Sequence, residues 1–250
     1  MLAPILRTII KRIIDWSNDY QNGSILAKAS RFVACEMIDG DYIEFGVYQG
    51  KTFIDAHRLL KHQFKRRIGL DVGGENQQQA KAKRQQVWND MRFIAFDSFE
   101  GLPELTQDDT TTPDFTKGQY ACSLNEFNRR ISKAGVPAEK VATVKGFFCE
   151  TCVSSAYAKL NLRKAAIVWL DADLYSSTKD VLNFLPPLLQ DGTILIFDDW
   201  FSYKGSPFEG VQRAFREWEK EMENQYVFSE YQRDSWKRMS FITTRVKDSA

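Results

Sequence analysis

Two apolar runs, Ala165-Ala166-Ile167-Val168-Trp169-Leu170 and Thr193-Ile194-Leu195-Ile196-Phe197, each stop abruptly at acidic residues. The first ends in Asp171-Ala172-Asp173, the second in Asp198-Asp199 followed by Trp200. Short runs rich in branched residues read as strands buried on both faces, which is how parallel sheets look in sequence. In open α/β sheets the carboxyl ends of such strands face the crevice where ligands bind. Carboxylates converging there repel one another unless a cation sits among them. The competing reading is capping, with Asp173 ahead of Leu174-Tyr175-Ser176 and Asp199 at a turn. Capping does not require four carboxylates in one crevice. An all-oxygen set without His or Cys suits Mg²⁺, Mn²⁺ or Ca²⁺ rather than zinc.

The rest of the chain alternates in the same way. Ser24 can cap a helix that runs to about Ile38. A short strand, Tyr42 to Phe45, leads through a glycine turn into a helix over Phe53 to Phe64. Residues 66–90 are polar and rich in Gln and Lys, and read as a partly helical insertion. Strands follow at 92–96, 141–144, 165–170 and 193–197, separated by helices at 124–134, 151–160 and from Ser176 or Ser177 onward. Residues 104–120 read as a loop, of the length that is usually functional or mobile. A helix from Gly210 to about Glu223 precedes two closing strands, 226–229 and 239–244, expected as an antiparallel edge pair. This alternation implies a Rossmann-like α/β fold: a doubly wound, mostly parallel sheet with helices on both faces. Residues 1–39 form an N-terminal helical extension and 40–250 the main domain.

Charge and composition narrow the partners. The chain has 250 residues and a formal net charge of +1, so no field favours nucleic acid or an acidic membrane. No apolar stretch approaches the roughly 20 residues needed to span a bilayer. Apolar residues at 5, 6, 9, 10, 13 and 14 mark one face of an N-terminal helix that packs on the domain or on a second subunit, the alternative being binding to a membrane surface. Cys149 and Cys152 have CxxC spacing, but no second pair completes a zinc site, and the only histidines are His57 and His62. Reduced thiols imply a cytoplasmic location.

Glu44-x-Gly46-x-x-x-Gly50 follows a strand and opens a helix. Glycines there let a ligand approach the backbone, and the helix N-terminus offers free amide donors; a tight turn is the plain alternative. The spacing fits neither the dinucleotide fingerprint nor the P-loop, which excludes kinase and ATPase readings. Asp97 ends the second strand, where a carboxylate commonly holds ribose hydroxyls or else caps the next turn.

Taken together, the segments Tyr42-Ile43-Glu44-Phe45-Gly46-Val47-Tyr48-Gln49-Gly50, Phe96-Asp97-Ser98-Phe99-Glu100-Gly101-Leu102-Pro103, Lys145-Gly146-Phe147-Phe148, Leu170 to Thr178 and Phe197-Asp198-Asp199-Trp200 resemble the macrocin O-methyltransferase (TylF-type) family of class I S-adenosylmethionine-dependent methyltransferases. The resemblance covers roughly residues 40 to 245. It implies that Glu44, Gly46 and Gly50, with the intervening Tyr48, line the methionine part of S-adenosyl-L-methionine. Asp97 and the adjoining Ser98 would serve the ribose, and Ser123 and Phe147 would border the adenine. It implies a divalent cation, Mg²⁺ or Mn²⁺, held by Asp171, Asp198 and Asp199. Related catechol O-methyltransferases carry Asn where this chain has Asp199.

The chemistry expected is methyl transfer to a hydroxyl of a sugar or glycosylated small molecule, with Asp171 or Asp173 taking the proton. The alternatives are a catechol or phenol acceptor, or a catalytically silent cofactor-binding protein. A homo-oligomer is compatible with the N-terminal helix.

Overall fold

The computed structural model describes residues 23–70, 76–110 and 112–247. The helix expected at residues 5–14 lies outside the described residues.

Seven strands form one sheet in the order β3-β2-β1-β4-β5-β7-β6. They are β1 (Asp41–Phe45), β2 (Phe93–Asp97), β3 (Val141–Lys145), β4 (Ala165–Leu170), β5 (Ile194–Phe197), β6 (Tyr226–Asp234) and β7 (Arg238–Arg245). The first five are parallel, and β7 runs antiparallel between β5 and β6. The sheet is therefore Rossmann-like and doubly wound, and its antiparallel part is a long hairpin rather than the two short strands expected. β1, β2, β4 and β5 are buried along their whole length, because helices cover both faces.

One face is covered by α1 (Ile25–Glu36), α2 (Lys51–Gly69), α3 (Gln77–Asp90) and α4 (Leu124–Lys133). Ser24 caps α1 as expected, accepting from the Ala27 amide at 3.2 Å. The segment expected as an insertion is the end of α2 and the whole of α3. α3 was hard to read because its surface is polar almost all round and only Val87 is buried. It is held by its C-terminal end, where Lys140 Nζ donates to the carbonyls of Trp88 (2.6 Å), Asn89 (3.0 Å) and Met91 (2.9 Å).

The other face carries α5 (Phe148–Thr151), α6 (Ser155–Leu160), α7 (Tyr175–Phe184) and α8 (Gly210–Glu221). α8 presents Val211, Ala214, Phe215 and Trp218 at helical spacing, and all four are buried. Phe215 stacks on Phe241 of β7 with centroids 4.5 Å apart and meets Trp200 edge-on at 5.2 Å. Each such ring contributes about 1.5–3 kcal/mol through burial. No helix of the described residues is long and apolar enough to cross a membrane.

The amino ends of the central strands are stapled by one side chain. Arg92 donates from Nε to Asp41 Oδ1 (3.1 Å) and from Nη2 to Asp41 Oδ2 (2.5 Å), and its Nη1 and Nη2 reach the carbonyls of Leu160 (2.7 Å) and Asn161 (3.0 Å). Asp41 is buried, so removing its cation leaves an unpaired charge. Arg92→Met is expected to destabilise the fold by about 2–4 kcal/mol in urea titration, with Arg92→Lys recovering only part, since an ammonium cannot reproduce the fork.

Candidate functional site

Sheet register builds the site. Phe45 of β1 pairs with Phe96 of β2 and Leu170 of β4, and Leu170 pairs with Phe197 of β5. Each chain's next residue falls in one row: Gly46, Asp97, Asp171 and Asp198. The ladder continues into that row, with Gly46 N donating to Phe96 O, Asp171 N to Phe45 O and Asp198 N to Leu170 O, each at 2.9 Å. A cleft of about 920 Å³ opens above the row. Gly46, Tyr48, Asp97, Ser98, Phe147, Asp171, Asp173, Asp198 and Asp199 line it, whereas Glu44, Gly50 and Ser123 do not.

Those three have other duties. Glu44 is buried and accepts the Tyr42 hydroxyl; burial pushes its carboxyl well up, the Tyr42 bond opposes that, and the charges of Asp198 and Asp97 add to it. Gly50 opens α2 at φ +75°, and an added Cβ would lie 3.0 Å from the Phe127 ring. Ser123 caps α4, accepting from the Glu126 amide at 3.3 Å. Gly46, by contrast, must be glycine for the row itself. Its φ is +85° and a Cβ would sit 2.0 Å from the Asp171 carbonyl oxygen.

Asp97 orders the glycine turn. Its Oδ2 accepts from the amides of Val47 (2.8 Å) and Tyr48 (3.0 Å), and its Oδ1 from Phe99 (2.6 Å). A carboxylate has about four lone-pair sites, so one acceptor position is left at the cleft wall.

Asp171, Asp173 and Asp199 each bring a carboxylate oxygen within 4.8 Å of the others. Burial pushes Asp171 and Asp173 well up, and the neighbouring carboxylates push in the same direction. Asp199 moves down: burial works against its charge, but the neighbouring Asp173, Lys237 and Ser202 outweigh that. In the absence of a cation, protonation of Asp171 or Asp173 relieves this crowding. Asp173 is also held at φ +57°, a backbone region that costs most residues energy and that Asn tolerates.

Asp198 is turned toward cations. Lys237 Nζ lies 2.5 Å from its Oδ2, and Arg238 Nε donates to its Oδ1. Lys237 Nζ also donates to Asp199 Oδ1 at 2.9 Å, which accepts Ser202 Oγ at 2.9 Å as well. Asp199 Oδ2 is buried without a partner among the described residues. Such an orphaned anionic oxygen beside two further carboxylates fits a hard divalent cation, which takes oxygen ligands.

Neither Lys237 nor Arg238 stands out in the sequence. The antiparallel pairing of Phe197 with Met239 sets Arg238 and Lys237 beside Asp198 and Asp199. Asp109, in the loop at 104–120, is a third residue that the sequence left unassigned. The α7 cap expected from Ser176 or Ser177 comes instead from Asp109, whose Oδ1 accepts the Ser176 amide (2.9 Å) and whose Oδ2 accepts Ser176 Oγ (2.8 Å). The same carboxylate accepts from Thr106 N (2.8 Å) and Oγ1 (2.9 Å), so it fastens the loop over the cleft. Phe115, Leu174 and Tyr203 form a small apolar cluster under that loop.

A family model described as Macrocin-O-methyltransferase (TylF) matches residues 73–227. The chain belongs to the TylF family. Among curated relatives, this TylF member is 28% identical over 170 residues to "Mycinamicin III 3''-O-methyltransferase" of Micromonospora griseorubida, covering 65% of this chain and 56% of the relative. It is 28% identical over 173 residues to "8-demethyl-8-(2,3-dimethoxy-alpha-L-rhamnosyl)-tetracenomycin-C 4'-O-methyltransferase" of Streptomyces olivaceus, covering 67% and 56%. The chain thus spans just over half the length of these relatives. The fold matches the solved structure of CalS11, described as a calicheamicin methyltransferase, with TM-score 0.63, 19% identity and 87% and 76% of the two chains covered. It matches the O-methyltransferase NovP with TM-score 0.62, 20% identity and 88% and 78% covered.

For this TylF-family site, Asp173→Asn removes one of the repelling carboxylates and suits the left-handed backbone. In chelator it is expected to raise Tm by about 2–4 °C, equivalent to about 1 kcal/mol in a chain of this size. An acid whose folded-state pKa is raised binds more protons in the native state, so stability falls as pH rises through that value. The metal-free protein should therefore lose stability as pH rises above the ordinary carboxylate range, with a shallower slope in Asp173→Asn. Equal slopes in differential scanning calorimetry would refute the raised proton affinity of Asp173.

Proposed function

We propose that the protein is an S-adenosylmethionine-dependent O-methyltransferase that methylates a hydroxyl of a sugar or glycosylated small molecule, assisted by Mg²⁺ or Mn²⁺. The observation that carries this reading is the orphaned, buried Asp199 Oδ2 within the Asp171–Asp173–Asp199 cluster, at the strand ends of a TylF-family sheet. The relatives' printed names, which describe methylation of sugar-bearing natural products, support the acceptor class.

When bound, S-adenosylmethionine would supply an electrophilic methyl group and the divalent ion a Lewis acid for the acceptor hydroxyl. Gly46 would let the cofactor's methionine portion pass close to the backbone, with Tyr48 beside it and Ser98 toward the ribose. Asp97 keeps the glycine turn in shape and offers its remaining lone pair to a ribose hydroxyl. Phe147 borders the adenine. Asp171 and Asp199 would hold the ion, joined by Asp173, which stands with them, or by Asp198, the ligand that the family resemblance implies.

Asp171 or Asp173 takes the acceptor's proton as general base. Holding the acceptor oxygen in line with the methyl group removes much of the entropic barrier. The loop fastened by Asp109 excludes water over the reacting groups. Free thiols at Cys35, Cys122, Cys149 and Cys152 agree with a cytoplasmic setting.

A methyl-transfer assay with a panel of glycosides and catechols tests the reading. Chelator is expected to abolish turnover while calorimetry still registers cofactor binding, and Asp171→Asn to lower kcat by about 10²–10⁴. Full activity in chelator would remove the ion from the mechanism, and transfer to catechols alone would overturn the sugar acceptor.

A further inference from the structure

Exposed aromatic side chains gather around the cleft. Four aromatic side chains among the described residues are exposed, and three of them, Tyr48, Tyr120 and Trp236, line it. Trp236 is 73% exposed, and an indole left in water at the edge of a binding cleft points to a ligand contact. Each ring is held in place. Tyr48 and Tyr120 sit at φ +43° and +59°, a costly region for aromatic residues, and meet edge-on at 6.1 Å. Gln49 Nε2 donates to the Tyr48 hydroxyl at 3.0 Å, and the Tyr120 hydroxyl donates to the Asp114 carbonyl at 3.4 Å. Burial raises the Tyr120 hydroxyl, and the charges of Asp173, Asp114 and Asp199 raise it further, so that ring stands within reach of the strand-end carboxylates. Trp236 sits at the turn of the β6–β7 hairpin. That turn is pinned by the bond from Phe201 N to Lys237 O (3.1 Å) and by Lys237 Nζ on Asp199 Oδ1 (2.9 Å).

The same cleft offers little to a phosphate. No arginine among the described residues lines it, and its two lysines are Lys204 and Lys237. Lys237 is already paired with Asp198 and Asp199. Ser176 lines the cleft at the amino end of α7, where backbone amides commonly hold phosphate. Asp109 Oδ1 already accepts that amide at 2.9 Å. Glu104, Asp114 and Asp180 add further acidic groups to the walls.

We infer that the acceptor is an uncharged glycoside whose part beyond the reacting sugar stacks on Trp236, and not a nucleoside diphosphate sugar. The inference rests on the sugar-acceptor reading above and narrows it. Indole and phenol rings give rigid, amphipathic contact area, suited to the C–H face of a sugar and to a flat apolar aglycone. A diphosphate would meet walls of its own sign, with Lys204 the single lining cation of the described residues left to answer it. Glycosyl transfer must then precede methylation, since that class of reaction joins the sugar to the group that Trp236 grips.

Isothermal titration calorimetry on the whole chain, loaded with S-adenosylhomocysteine and Mg²⁺, tests this. The probes are para-nitrophenyl glycosides of rhamnose, glucose, galactose and mannose, each set against the nucleoside diphosphate derivative of the same sugar. For at least one sugar, the aryl glycoside is expected to bind at least about tenfold more tightly than its nucleotide counterpart. Trp236→Ala is expected to weaken that glycoside by about tenfold, and Trp236→Phe to recover most of the loss. Unchanged S-adenosylhomocysteine affinity shows that both variants are folded. Nucleotide sugars binding as tightly as the aryl glycosides, no aryl glycoside binding at all, or full affinity in Trp236→Ala each overturns the inference. The sugar-acceptor reading fails separately, on turnover, if catechols are methylated and sugars of neither class are.

Discussion

Repulsion among carboxylates at the ends of β4 and β5 is the constraint around which this molecule is arranged. Four of them, Asp171, Asp173, Asp198 and Asp199, line the same cleft, and two cationic side chains from the β6–β7 hairpin answer them. The two cations leave an excess of negative charge when every carboxylate is ionised. Protonation of Asp171 or Asp173 would relieve it, and so would the divalent cation proposed above. The hairpin is therefore part of the site, although it lies at the edge of the sheet in sequence order.

The backbone that supports this arrangement is itself committed to it. Gly46 admits the Asp171 carbonyl where any side chain would collide, and Asp97 gathers three amides of the adjoining loops. These contacts hold β1, β2 and β4 in one register at their carboxyl ends, while Arg92 ties the amino ends of β1 and β2 to the carbonyls that close α6. Precise placement of reacting groups depends on such rigid support, since small displacements cost large factors in rate.

Much of the fold was legible because buried parallel strands cannot hide in a sequence: 165–170 and 194–197 lack polar residues, and their carboxylates mark the ends. α8 was legible from its apolar spacing. α3 was not, because a helix held by the Lys140 cap and one buried valine has no amphipathic stripe to display. In the site, the acidic residues and the glycine turn announced themselves by type and position. Glu44 and Ser123 stand in the same motifs, yet the structure turns them to a buried tyrosine bond and a helix cap.

The amino-acid sequence alone determined the α/β alternation, the acidic strand ends and the family resemblance, because these depend on local residue type and short spacing. Only the tertiary structure decided how the four aspartates divide, with Asp198 assigned to Lys237 and Arg238 and with Asp171, Asp173 and Asp199 left together. That division follows from the antiparallel pairing of β5 with β7, a contact about forty residues apart along the chain. Strand pairing at such a distance is set by the packing of whole faces, and no short window of residues encodes it.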